Sequence, residues 1–136
     1  MCSRRFAATL CLAGLFTAAC GGPVSPSKNN VENFSGTLAA GAANGHDFTV
    51  ARSGEFEVTI TALAPVSVVF IGTALGQLQS DGSCGLFQVY VNNFSTLDRP
   101  SLGDAISPGK YCVVVFDVRT ISDSEPITYT VKVSHP

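Results

Sequence analysis

Charged side chains make up only 13 % of this 136-residue chain, and apart from Arg4-Arg5 the basic ones stand singly. Nucleic-acid binding rests on clustered Lys and Arg, so that class of partner is excluded. Histidine is scarcer still, with only His46 and His135. His46 stands in a turn or strand start, GHDF, and His135 is next to last, where a chain end frays. Both read as solvated side chains. A Ser–His–acid arrangement needs a base held in a rigid frame. No Gly-x-Ser-x-Gly elbow occurs, and GTALGQ at 72–77 lacks the Lys and Ser of a phosphate-cradling loop. No segment after Pro23 keeps a helical period for ten residues. No cofactor is expected, and no metal.

The first residues are apolar but short. Arg4 and Arg5 precede an uncharged run from Phe6 to Ala19, below the roughly 20 residues of a membrane-spanning helix. A basic start, an apolar middle and small residues at the end are the parts of a secretory signal peptide, here residues 1–19. A buried core helix would carry a polar face and a cap, and this run has neither. Thr17-Ala18-Ala19-Cys20 resembles the bacterial lipobox, with Thr17 where Leu is usual. That resemblance implies that Cys20 is acylated and becomes the mature N-terminus; ordinary cleavage near Ala19 is the alternative. The implied partner is the membrane, held through lipid on Cys20, and two or three acyl chains hold firmly where one does not. Gly21 in place of Asp after the cysteine favours the outer membrane by the sorting rule of diderm lipoproteins. Residues 20–30, CGGPVSPSKNN, hold a single aliphatic side chain, Val24, and read as a flexible tether.

Without the leader, 117 residues remain, enough for one core in a domain spanning 31–136. Removing Arg4 and Arg5 from the eight basic residues leaves six against ten acidic, a net charge near −4. The five cysteines divide in the same way. Cys2 and Cys11 leave with the leader, Cys20 is the lipid site, and Cys84 and Cys112 remain to pair in an exported protein. Two thiols with no His or Cys close by are too few for zinc. A loop of about 29 residues closed by that bridge stabilises by roughly 3–4 kcal/mol. Whether it joins neighbouring strands or two sheets stays open.

From Val31 onward the period is two. In EFEVTITAL, Phe56, Val58 and Ile60 point one way, while Glu55, Glu57, Thr59 and Thr61 point the other. PITYTVKVS repeats this with Ile127, Tyr129, Val131 and Val133 inward, and HDFTVAR sets Phe48 and Val50 inward. VSVVFIGT and YCVVVFDV are apolar throughout and read as central strands. Within the latter, Cys112 shares a phase with Val114 and Phe116, so its face also carries large apolar groups. Turns are expected at GAANG (41–45), SG (53–54), SDGSCG (80–85), DRPSLGD (98–104), SPGK (107–110) and SDSEP (122–126). Seven or eight short strands in this rhythm predict an all-β antiparallel sandwich. Glu55 and Glu57 read as a wet exterior. Asp98, Asp104, Asp123 and Glu125 offer loop oxygens that calcium could use, without a contiguous calcium loop. Asn33-Phe34-Ser35 and Asn93-Phe94-Ser95 match the N-glycosylation pattern, which carries little meaning in a bacterium.

Phe34-x-Gly36-x-Leu38, Phe48-x-Val50, Gly54 and the Pro108-Gly109 turn before an aromatic-rich strand resemble bacterial prepeptidase C-terminal domains across residues 31–136. The resemblance implies a jelly-roll-like sandwich, non-catalytic, with roles in substrate or matrix binding, secretion and stability. The cysteine pair is not general in that family, and no peptidase precedes the domain here. The expected function is therefore a lipid-anchored binding or structural module of the bacterial envelope. Its ligand is expected to be a protein or a polysaccharide, met through exposed aromatics such as Tyr90 or Phe94. The other expectations are an accessory subunit docked on a separate exported enzyme such as a peptidase, and a small hydrolase built on His46.

Overall fold

A computed structural model describes residues 28–65 and 70–136. The leader 1–19, Cys20, the tether as far as residue 27, and the 66–69 part of VSVVFIGT lie outside the described residues. Eight strands follow one another: β1 (Asn30–Leu38), β2 (Ala43–Val50), β3 (Gly54–Ala64), β4 (Ile71–Leu78), β5 (Cys84–Ser95), β6 (Pro100–Ile106), β7 (Gly109–Phe116) and β8 (Ile127–His135). They form two four-stranded antiparallel sheets, β1-β8-β3-β6 and β2-β7-β4-β5. Successive strands alternate between the sheets except at β4–β5, which is the wrapping of a jelly roll.

The core lies between the sheets and is built by the period-two faces. Phe56, Val58 and Ile60 of β3 and Ile127, Tyr129, Val131 and Val133 of β8 are all buried in it. Ile71 and Leu75 of β4 and Val113 and Val115 of β7 meet them from the second sheet. β4 and β7 are central strands, as their apolar composition requires. In β3 the pairing register slips between Ile60 and Ala62, and the buried phase moves from Ile60 to Leu63.

Five of the six expected turns are shorter than their composition suggests, SG and SDGSCG by the one and two residues that open β3 and β5. GAANG gives up its second half to β2, and SPGK gives Gly109 and Lys110 to β7. Most of DRPSLGD is a strand, β6. Leu102 and Ile106 are drawn into the core, and Pro100 opens an edge strand, where its missing N–H costs no ladder bond.

One pole of the sandwich gathers Lys28, the 51–53 turn, Ser107 and Pro136. There Asn29 Nδ2 donates to the Glu55 carbonyl at 2.9 Å, and the Arg52 guanidinium donates to the Lys28 carbonyl. The opposite pole holds the 39–42 turn, Phe70 and the 117–121 loop. Asp117 ties that pole together. Its carboxylate accepts from the N–H of Gly41 at 2.8 Å, of Thr120 at 2.9 Å and of Ile121 at 3.2 Å. Burial pushes this carboxyl up, but the N–H groups of Gly41, Thr120, Ile121 and Arg119 outweigh it and hold the group below the usual carboxylate range.

Candidate functional site

The two sheets differ on their outer faces. The first presents Ser35, Thr37, Thr128, Thr130, Lys132 and Glu57 to solvent, the wet exterior expected of β3 and β8. Glu57 lies 3.8 Å from Lys132 Nζ and accepts from Thr59 Oγ1 at 3.0 Å, which leaves Thr59 covered although it points outward. The outer face of the second sheet is apolar. On β4 the residues alternating with Ile71, Thr73 and Leu75 are Gly72, Ala74 and Gly76, and all three are buried although they point away from the core.

Neighbouring side chains cover that small-residue stripe. The ring of Phe116 lies where a Cβ on Gly72 would fall, at 2.2 Å. Cys84 Sγ lies 2.7 Å from the Cβ position of Gly76. Ala74 pairs with Val114 on one side and Val91 on the other. The Cys84–Cys112 bridge belongs to this cover. It joins β5 to β7 within one sheet and passes over β4 between them, with its Cα atoms 5.9 Å apart. Cys112 is fully buried, and the phase it shares with Val114 and Phe116 is that of this apolar face. The result is a thin second core on the outside of the molecule.

Beyond that cover, β5 leaves large apolar side chains in water. Val89 is 83 % exposed and Phe94 72 %, with Leu86 and Val91 partly exposed beside them. An apolar patch of this kind marks an interaction site more often than scattered surface leucines do. At the Asp117 pole the patch runs into a shallow groove lined by Phe70, Phe94, Phe116, Val118 and Arg119. Phe70 and Phe94 form its aromatic wall, with ring centroids 5.4 Å apart. Asp117 borders the groove, but three backbone N–H groups already occupy its oxygens. Of the two aromatics expected to contact a ligand, Phe94 faces solvent. Tyr90 turns toward Phe56 in an edge-on contact at 5.6 Å and donates its hydroxyl to Asp104 at 2.9 Å.

The histidine expectation is corrected, since neither His46 nor His135 is a solvated end or turn residue. His46 lies within β2, stacks on Phe34 at 5.1 Å and shares a 2.7 Å hydrogen bond with Tyr129 Oη. Burial lowers its pKa, and the charge of Asp47 partly opposes this. His135 is 1 % exposed, lies 2.8 Å from Glu32 Oε1 and packs on Phe48. Both fill the seam where the edge strands β1 and β2 meet. The groups that His46 touches are a phenol and a phenyl ring, neither a carboxylate nor an alcohol nucleophile.

The four loop carboxylates considered for calcium do not come together. Asp104 sits in β6 with Tyr90, and among the described residues no three His, Cys, Asp or Glu side chains gather in a metal-holding group. Comparison with family models and with curated proteins returned no match.

Proposed function

We propose that this chain is a non-catalytic β-sandwich module of the bacterial cell envelope, anchored by lipid on Cys20, that works by presenting the outer face of its second sheet to a partner. One observation carries the binding part of this reading: Val89 and Phe94 stand in water on a face that is otherwise built like a core. The short apolar leader, Cys20 and the polar tether support the anchor. The contacts of His46, with a phenol and a phenyl ring, favour a binding role over hydrolysis.

Two experiments test the two parts. Cys20→Ser should move the chain from the membrane fraction to the soluble fraction; unchanged detergent partitioning would overturn the anchor. A photo-crosslinking phenylalanine analogue placed at Val89 or Phe94 in intact cells should give discrete adducts. The same analogue at Thr130, on the polar face, should not. Equal labelling from both faces would overturn the binding face.

A further inference from the structure

The apolar face also carries information about what covers it. The four strands of the second sheet hold only two formally charged residues, Asp47 on β2 and Lys110 on β7. The first sheet holds one basic residue against four acidic ones, in a domain with five basic and ten acidic residues and a net charge of −5. The second sheet is therefore the neutral side of an acidic molecule. A lipid surface is a poor match, because interfacial binding relies on many basic residues around the apolar area, and here only Lys110 on β7 and Arg119 at the groove stand beside it.

Asp47 and Lys110 both point outward. Asp47 pairs with Cys112, and Lys110 with Thr49, so they sit diagonally on adjacent strands. Among the described residues no ion pair joins them. One acid and one base on a single face are self-complementary under a two-fold axis, because each meets the other's counterpart on the second copy. By the pairing registers, an axis lying in the face midway between Asp47 and Lys110, and perpendicular to the line joining them, crosses β4 beside Gly76 and reaches β5 between Leu86 and Val91, the stretch that carries Val89. It therefore lays the apolar centre of one copy on that of the other.

We propose that the outer face of the second sheet is a self-association surface, on which a second copy of this chain seats face to face with Asp47 opposite Lys110 in both directions. This rests on the binding-face reading above and names its partner. The edge strand β5 has no charge and no proline in its twelve residues, so the side of the interface nearest it carries nothing that repels a copy.

The test is sedimentation of the full-length chain in mild detergent from about 1 to 100 µM, a range that reads micromolar affinities directly. A monomer–dimer equilibrium is expected. Asp47→Lys, an exposed change that leaves the fold intact by circular dichroism, should weaken the dimer about tenfold or more by setting lysines against each other twice. The double change Asp47→Lys with Lys110→Asp should restore it to within about threefold of the parent. Val89→Lys should abolish it. A dimer indifferent to Asp47→Lys and Val89→Lys would overturn the proposal, and so would a charge swap that fails to restore association. A chain that stays monomeric but captures a different protein in a Val89-dependent way would overturn self-association and leave the binding face standing. A monomer with no Val89-dependent partner would overturn both.

Discussion

Replacing Asp117 should loosen the pole that carries the aromatic groove. Its carboxylate accepts three backbone N–H groups, from Gly41 in the β1–β2 turn and from Thr120 and Ile121 in the loop before β8. Hydrogen bonds to a charged acceptor contribute about 1.5–3 kcal/mol each when fully buried. Asp117 is half-buried, so the freed N–H groups can take water and the net loss per bond drops to about 1 kcal/mol. Asp117→Ala should therefore cost about 2–4 kcal/mol, and Asp117→Asn, which keeps one carbonyl oxygen, about 1–2 kcal/mol. Acid adds a second signature. The folded carboxyl is held below its ordinary value of 3.8, so as pH falls the unfolded chain takes up the proton first. The stability Asp117 contributes is complete above that value and is lost as pH falls through the folded pKa. Urea unfolding at pH 7, and in steps from about pH 5 to pH 2.5, reads both effects. An Asp117→Ala chain within about 0.5 kcal/mol of the parent would refute the reasoning, as would an Asp117→Asn chain with an unchanged acid limb.

Two further predictions concern the bridge and the seam. Cys84→Ala with Cys112→Ala should lower stability by about 3.5 kcal/mol, from closure of a loop of about 29 residues, and the double variant should unfold identically with and without reductant; a loss under about 1 kcal/mol would show that the cover of β4 holds without the bond. For His46, the depressed pKa means the unfolded state binds protons more readily, so its contribution should weaken as pH falls below about 6.5. Thermal melts between about pH 7.5 and 5.5 should show a smaller slope in His46→Phe than in the parent, and equal slopes would refute the assignment.

The fold was legible because its driving pattern is local. EFEVTITAL and PITYTVKVS announce a half-buried strand in nine residues each, and the core takes up the side chains that alternation assigns to it. The phase of Cys112 with Val114 and Phe116 even pointed to the outer apolar face. What stayed hidden depends on partners far along the chain. His46 is defined by Tyr129, 83 residues on, and His135 by Glu32, 103 residues back. Nothing beside either histidine reveals those neighbours. DRPSLGD misled for a related reason. Its turn composition is real, but Leu102 and Ile106 gain burial against strands that only the jelly-roll wrapping brings near. Gly72, Ala74 and Gly76 could have been noticed as small residues at alternate positions of an otherwise apolar strand. Their meaning required Phe116 and Cys84 to be seen lying over them.

The path of the Cys84–Cys112 bridge has a mechanical consequence. An edge strand held only by its ladder can be unzipped one hydrogen bond at a time, and β5 pairs with β4 alone. The covalent link reaches past β4 to β7, so a pull on the β4–β5 hairpin is carried by a strand that is clamped between β2 and β4. Peeling β5 from the bridged end therefore loads three strands together. The edge that displays Val89 and Phe94 is thus also the one fastened against being stripped away.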